Sequence, residues 1–107
     1  MIRDDTGKYL PLTESTYYVM LTLVEPLHGY AVMQKVEEIS KGIVKVGPGT
    51  LYGAFTSLEK EGLIIMVKEE NRRKSYVLTK KGKKVLTNHI RRLEIMYQDG
   101  ISVTDML

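Results

Sequence analysis

Apolar residues recur at helical spacing along the 107-residue chain, and the first such stretch follows Thr13. The hydroxyl of Thr13 suits an N-cap, and the apolar positions after it follow the i, i+3, i+4, i+7 rule of an amphipathic helix. Pro26 should end this helix, because proline cannot continue the helical hydrogen-bond ladder. The apolar positions are Tyr17, Met20, Leu21 and Val24.

The next periodic stretch predicts a second helix, which begins between His28 and Tyr30 and ends near Ser40. Gly29 allows the tight connection to the first helix. The polar residues of this stretch are expected to face solvent. The inward side chains are expected to be Val32, Val36 and Ile39.

A third helix is predicted from Pro48 to Glu61. Proline suits the first helical position, where its missing N–H would have no partner in any case. Gly62 is the expected left-handed residue after the last turn, and Leu63 then falls where a Schellman cap places an apolar contact. The apolar stripe of this helix is Leu51, Phe55 and Leu58.

Three short runs have the composition of β-strands. Residues 43–46 are mostly β-branched and lie between glycines, which predicts a brief strand. The runs 63–68 and 75–78 are joined by the polar residues 69–74, which predicts a β-hairpin with a basic tip.

The last helix is predicted from the cap Thr79 to about Gln98, with Gly100 beyond its end. Its apolar residues repeat at spacings of four, three and four, as in a coiled-coil seam. A 107-residue domain cannot cover so long a helix, so we expect the seam to pack against a partner subunit. The predicted dimer interface comprises Leu86, His89, Ile90, Leu93, Met96 and Tyr97.

This order of elements is that of a winged helix-turn-helix followed by a long C-terminal helix, a mostly α fold with a small β-hairpin. The predicted organisation is an N-terminal arm (1–12), a winged helix-turn-helix domain (13–78), and a dimerisation helix and tail (79–107). In such a fold the third helix enters the major groove of DNA.

Cationic residues are concentrated in one segment. From Asn71 to Arg92 the chain has nine Lys and Arg residues and no acidic one, whereas the other 85 residues have seven basic and thirteen acidic residues. The formal net charge of +3 conceals this asymmetry. Such a segment favours a polyanionic partner, and a solvated helix face is the alternative interpretation.

The outward face of the third helix carries polar side chains suited to DNA. A helix fits the major groove, about 12 Å wide, where hydroxyl and amine groups reach base edges or phosphates. The free N–H groups after Pro48 suit a phosphate, and the basic hairpin tip would neutralise phosphates or enter the minor groove. The predicted DNA-binding residues are Gly49, Thr50, Tyr52, Gly53, Thr56, Ser57, Lys60, Arg72, Arg73 and Lys74.

The composition argues against an enzyme and against a membrane protein. The chain has no cysteine and only two histidines, and no catalytic triad or metal-ligand set can be assembled from its residues. We therefore expect no enzymatic activity, no cofactor and no metal. The apolar runs are far shorter than a membrane span and the start does not resemble a signal peptide, so a cytoplasmic location is expected.

Four motifs resemble those of the PadR family of bacterial transcriptional regulators. They are residues 25–30, which open the second helix, 47–54, which open the third, 58–64, which close it, and 73–82, which run through the second strand of the wing. The resemblance covers about residues 13–82. The length of the chain resembles that of the smaller branch of the family, which has one C-terminal helix.

The resemblance implies a homodimer that represses transcription from a palindromic operator. In the family, the positions matching Thr50, Tyr52 and Gly53 on the third helix, and Arg73 and Lys74 on the wing, contact DNA. The alternative is an RNA-binding or protein-interaction winged helix without operator specificity. An RNA reader would usually expose several stacking aromatic residues, which the basic segment lacks.

Analogy with the family also implies a small-molecule effector pocket between the first and last helices. His89, which lies in this region, is either a packed core residue or a titrating sensor. The predicted pocket residues are Tyr17, Tyr18, His89, Leu93 and Met96.

Overall fold

The computed structural model describes residues 5–107 and has the predicted fold class, four α-helices with one small sheet. The predicted N-terminal arm lies partly outside these residues, since residues 1–4 are not described. Two 3₁₀ helices, Asp5–Tyr9 and Thr104–Met106, flank the α-helices. The helices are α1 (Glu14–Thr22), α2 (Gly29–Ile39), α3 (Pro48–Lys60) and α4 (Lys80–Val103), and the strands are β1 (Leu27–His28), β2 (Ile64–Glu70) and β3 (Arg73–Leu78).

The three strands form an antiparallel sheet in the order β1-β3-β2, with β3 in the middle. Leu27 pairs with Tyr76 in β3, and Ile64 of β2 pairs with Leu78. Strand β1 was not predicted from the sequence. With its two residues it is too short to have a periodicity of its own, and it exists because β3 offers a free edge.

The strand predicted for residues 43–46 is wrong. Val44 and Val46 are buried while Ile43 and Lys45 are exposed, so the residues alternate as they would in a strand but without a partner strand. The hydroxyl of Ser40 accepts the Val44 N–H at 3.0 Å and donates to the Val44 carbonyl at 3.1 Å. These side-chain bonds satisfy the backbone locally, and β1 and β2 already occupy both edges of β3.

Helix α1 is shorter than predicted. Thr13 caps it as expected, accepting the Thr16 N–H at 3.1 Å, but the helix ends at Thr22, well before Pro26. Val24 is therefore outside the helix and is 54% exposed. In α2, Val32 and Val36 are buried as predicted, whereas Ile39 is 42% exposed.

Helix α3 has the predicted start and end. Pro48 is its first residue, and Leu51, Phe55 and Leu58 are all buried. Gly62 has a φ of 74°, the left-handed conformation that glycine adopts without strain. The Leu63 N–H donates to the Leu58 carbonyl at 2.9 Å and the Gly62 N–H to the Glu59 carbonyl at 3.0 Å, which is the Schellman pattern.

The β-hairpin that forms the wing has a tighter turn than the six polar residues predicted. Glu70 pairs directly with Arg73, which leaves a two-residue loop of Asn71 and Arg72. Both loop residues have positive φ, 52° and 66°, as a type I′ turn requires. This turn keeps three basic side chains close to the body of the protein.

Helix α4 is longer than predicted and includes Gly100, which was expected beyond its end. At 24 residues it is about 36 Å long. The Cα radius of gyration is 15.3 Å, against about 13 Å for a compact domain of this size, because α4 projects from the rest of the described chain. Leu86 and His89, both assigned to the dimer interface, are 6% and 4% exposed and thus already covered within the chain.

Candidate nucleic-acid interface

All ten residues predicted to contact DNA are exposed to solvent. Seven lie on the outward face of α3, and three lie at the tip of the wing. Helix α3 presents this face because its opposite stripe is fixed in the core by Leu51, Phe55 and Leu58. The folding of the core therefore decides which polar groups of α3 are available to a ligand.

A cleft of about 380 Å³ separates α3 from the wing. It brings together half of the predicted residues, while Gly49, Thr50, Gly53, Ser57 and Lys60 lie elsewhere on the exposed surface of α3. The cleft is lined by Tyr52, Thr56, Arg72, Arg73 and Lys74, together with His28, Gly29, Tyr30, Phe55 and Tyr76.

Aromatic rings form the inner wall of this cleft. The Phe55 ring lies 4.7 Å from the Tyr76 ring and 6.1 Å from the Tyr52 ring, centroid to centroid. Burial, with smaller contributions from Glu59 and Glu69, raises the pKa of Tyr76 above its usual value. The Tyr76 hydroxyl is therefore neutral at physiological pH and keeps a proton to donate.

Sequence reasoning missed two residues of the cleft, His28 and Tyr30. Both come from the start of α2, where β1 turns into the helix, and His28 was interpreted only as part of that helix start. The Tyr30 hydroxyl accepts a hydrogen bond from the Gln34 amide at 3.2 Å. The resemblance motif over residues 25–30 contained both of them, but nothing local assigned them to the same surface as the wing.

The start of α3 has the free donors that the sequence predicted. Gly47 is the N-cap residue and makes no side-chain cap, and the Leu51 N–H makes the first bond of the helix, to the Gly47 carbonyl at 2.9 Å. The N–H groups of Gly49 and Thr50 precede that bond and have no acceptor within the helix. They are positioned for an anion outside the protein.

The hydroxyl of Thr56 is partly committed within α3. It donates to the Tyr52 carbonyl at 2.9 Å, so its proton is used inside the helix. Only the lone pairs of the oxygen remain for a ligand, and they suit a donor group such as a base amine.

The wing cations are electrostatically unpaired among the described residues. The described ion pairs Lys45–Glu37 and Lys68–Glu70 do not include Arg72, Arg73 or Lys74. The cationic segment found in the sequence is also divided by the fold. Residues 75–78, which complete β3 over about 13 Å, separate Lys74 at the wing tip from the lysines that begin α4.

The five predicted effector-pocket residues line a second cavity of about 410 Å³ between α1 and α4. The Tyr17 ring packs 5.0 Å from the His89 ring and 5.3 Å from the Tyr18 ring. Burial, together with the nearby Tyr18, raises the pKa of Tyr17. The wall is completed by Pro11, Leu12, Glu14 and Arg92.

His89 connects the N-terminal arm to α4. Its Nδ1 accepts the Leu12 N–H at 3.3 Å, which requires the neutral ring to carry its proton on Nε2. Burial, and secondarily the Arg92 guanidinium, lower the pKa of His89. The ring is therefore held neutral as part of the packing between α1 and α4.

The predicted dimer seam is exposed beyond His89. Ile90, Met96 and Tyr97 are 41%, 55% and 64% exposed, and Leu93 is half-buried. The exposed apolar surface continues to the end of the helix through Ile101. Apart from the cavity that Leu93 and Met96 line with α1, this part of α4 is exposed in the described chain.

Residues 5–107 contain neither a membrane-spanning helix nor a cluster of metal ligands. No helix there combines the length and the apolar character that crossing a membrane requires. No group of three or more histidine or acidic side chains lies close enough together to hold a metal ion.

The PadR-like transcriptional regulator family model matches residues 19–88, which include α2, α3, the wing and the start of α4. The chain belongs to the PadR-like family of transcriptional regulators. The match covers α3 and the cleft beside it. This family consists of regulators rather than enzymes, in agreement with the absence of catalytic groups predicted from the sequence.

Solved structures of transcriptional regulators share the fold over nearly the whole chain. A PadR-like transcription factor from Bacteroides fragilis has a TM-score of 0.72 at 25% identity, covering 94% of this chain and 100% of that one. A transcriptional regulator from Clostridium thermocellum has a TM-score of 0.71 at 22% identity, covering 97% of this chain and 99% of that one. The long last helix is thus part of the shared fold.

The curated relatives are longer proteins. A 37.1 kDa protein encoded in a transposon of Streptomyces fradiae is 31% identical to this PadR-like chain, over 75% of the chain and 27% of that protein. The chain spans between 27% and 33% of the length of the curated relatives it matches.

Proposed function

We propose that the chain is a sequence-specific DNA-binding repressor, which acts in the cytoplasm as a homodimer on a palindromic operator. The observation that carries this proposal is the juxtaposition of α3 and the wing. The exposed polar face of α3 and three unpaired cations lie on the two sides of one cleft. Membership of a family of transcriptional regulators supports it.

The proposed interface makes two classes of contact with the duplex, one to base edges and one to phosphates. The exposed side chains of α3 face the base edges of the major groove, and the wing cations contact phosphates. Side chains on α3 discriminate sequence, whereas phosphate contacts supply affinity without discrimination. The proposed DNA-contacting residues are Gly49, Thr50, Tyr52, Gly53, Thr56, Ser57, Lys60, Arg72, Arg73 and Lys74.

Dimerisation through α4 accounts for its exposed apolar surface. The interface uses Ile90, Leu93, Met96 and Tyr97, while Leu86 and His89 support it from within the chain. A twofold dimer places its recognition helices about 34 Å apart, one turn of DNA, and so reads a palindrome.

A small-molecule effector would act at the cavity between α1 and α4. Among its residues, Tyr17, Tyr18 and His89 offer flat ring surfaces and Leu93 an apolar one. Since α4 also carries the dimer seam, a ligand there would alter the angle between subunits and hence the spacing of the recognition helices.

The test combines selection and sedimentation. Duplexes selected from random DNA should share an inverted repeat with half-sites about 10 base pairs apart. Sedimentation at micromolar concentration should give a dimer, and excess RNA should not displace the selected duplex. Recovery of no shared motif, or equal competition by RNA, would favour a winged helix without operator specificity.

A further inference from the structure

We propose that the cleft between α3 and the wing holds one phosphate of the DNA backbone, gripped from opposite sides by Tyr30 and Arg73. This inference rests on the proposed function. It adds a contact that the sequence motifs did not assign, and it places the wing cations on the backbone rather than in the minor groove.

The lining of the cleft selects an anion. It contains two arginines and one lysine and no carboxylate. Guanidinium and ammonium groups are donors only, so the complementary ligand must supply acceptor oxygens and negative charge. A backbone phosphate has both, whereas a base edge is uncharged.

The Tyr30 hydroxyl is oriented to donate. Its oxygen already accepts from Gln34 at 3.2 Å, which leaves its proton for a partner on the other side. Tyr30 is 60% exposed and lines the cleft opposite the wing. The free Tyr30 proton and the guanidinium donors of Arg73 are therefore both available to a ligand in the cleft that the two residues line.

Tyr52 closes the inner end of the same space. A Cβ atom built on Gly29 would lie 3.0 Å from the Tyr52 phenol oxygen, so this ring rests against the first residue of α2. Its hydroxyl consequently lies at the cleft rather than out beyond the face of α3. Tyr52 therefore lies next to the proposed phosphate, and other side chains of α3 discriminate between bases.

The short turn of the wing sets the distance across the cleft. Two residues, Asn71 and Arg72, complete the hairpin, so the cations on it remain beside α3. A longer, glycine-rich tip would carry the same charges farther from Tyr30. The geometry therefore ties the wing to the backbone phosphate next to the recognition helix.

Phosphate-ethylation interference on the selected operator tests this contact. With the wild-type protein, ethylation at several phosphates should block binding. Tyr30→Phe and Arg73→Ala should each abolish interference at the same phosphate in each half-site. Each variant should weaken binding about tenfold, and equally for the operator and for an unrelated duplex, because a phosphate contact carries no sequence information.

A double variant that combines Tyr30→Phe with Arg73→Ala makes the test more specific. If both residues hold one phosphate, the combined loss should be about tenfold to thirtyfold rather than the ~100-fold of independent effects. Tyr9→Phe, which removes a hydroxyl that donates to Glu61, and Lys83→Ala, which removes an exposed cation of α4, serve as matched controls. Both controls should retain the complete interference pattern.

The outcomes separate this inference from the proposed function. A wild-type protein that yields no interference pattern on any duplex would overturn the proposed function itself. A normal wild-type pattern with Tyr30→Phe unchanged, or with the two variants losing different phosphates, would overturn only the shared phosphate site.

Discussion

Gly29 at the start of α2 lies directly beneath the Tyr52 ring of α3. A Cβ at Gly29 would lie 3.0 Å from the Tyr52 phenol oxygen and 3.1 Å from the buried Leu51 side chain. This contact joins the two helices at the point where the candidate phosphate site is built. It explains why a residue without a side chain begins α2.

Gly29→Ala should therefore lower the free energy of unfolding by about 1 to 2 kcal/mol, since the added methyl overpacks against Leu51. It should also displace the Tyr52 ring and weaken DNA binding. Urea denaturation and a gel-shift titration measure the two effects. Unchanged values in both would mean that α2 and α3 are farther apart than the structure has them.

Gly53→Ala should instead increase the stability of the protein. Gly53 lies in the middle of α3, and a Cβ there would meet nothing within 4 Å. Alanine is the better helix former, so the free energy of unfolding should rise by about 0.5 to 1 kcal/mol. DNA affinity should nevertheless fall, because the added methyl stands on the face proposed to enter the groove. If affinity is unaffected, α3 does not approach DNA closely at this residue.

Gly82→Ala should be the most destabilising of the glycine substitutions. A Cβ at Gly82 would overlap the backbone carbonyl of Leu63, which cannot rotate away. We expect a loss of about 3 kcal/mol, at the upper end for overpacking. Gly100→Ala, also in α4 but with open space around it, should be neutral or slightly stabilising. Similar unfolding midpoints for the two variants would contradict the close approach of α4 to the Leu63 backbone.

The lowered pKa of His89 predicts that the folded protein loses stability on acidification. Burial and Arg92 hold its pKa in the folded chain below the unfolded value of about 6.5. As the pH falls below about 6.5, the unfolded chain takes up a proton that the folded chain does not, so the free energy of unfolding should decrease. Protonation would also break the bond from the Leu12 N–H to Nδ1.

The control for this pH dependence is the other histidine. Stability compared between about pH 7.5 and pH 5.5 should lose most of its variation in His89→Gln and keep it in His28→Gln. The reverse result would remove His89 as the titrating group.

Arg72→Gly, in the turn of the wing, should have opposite effects on stability and on DNA binding. Arg72 has a φ of 66°, where glycine is unstrained and arginine is not. The substitution should raise the free energy of unfolding by about 0.5 to 1 kcal/mol while weakening DNA binding and reducing the salt slope by about one ion. Lys74→Ala, in the extended strand β3, should weaken binding without the gain in stability. A loss of stability in Arg72→Gly would contradict the two-residue turn.

Much of the fold was predictable because it depends on neighbours in sequence. The cap of α4 is an example, since Thr79 Oγ1 accepts the Gly82 N–H three residues later, at 3.0 Å. The Schellman end of α3 likewise depends on residues within one turn of Gly62. The exposed face of α3 followed directly from the spacing of its buried stripe.

The sequence predicted two parts of the candidate site separately, but not that they lie side by side. The polar residues of α3 and the cations of the wing were each visible as local patterns. His28 and Tyr30 were not, because more than forty residues separate Tyr30 from the wing that it faces. The division of the cationic segment between wing and α4 also required knowledge of where β3 runs.

The chain's own pattern of residues determined four helices, the N-caps of α1 and α4, the end of α3, a basic hairpin and an apolar seam on the last helix. Tertiary structure decided which strands paired, leaving residues 43–46 without a partner and giving the free edge of β3 to Leu27 and His28. It also decided that Leu86 and His89 are covered within the chain. The reason is physical: helical hydrogen bonds join residues four apart, whereas sheets, clefts and interfaces join segments whose separation in sequence carries no periodic signal.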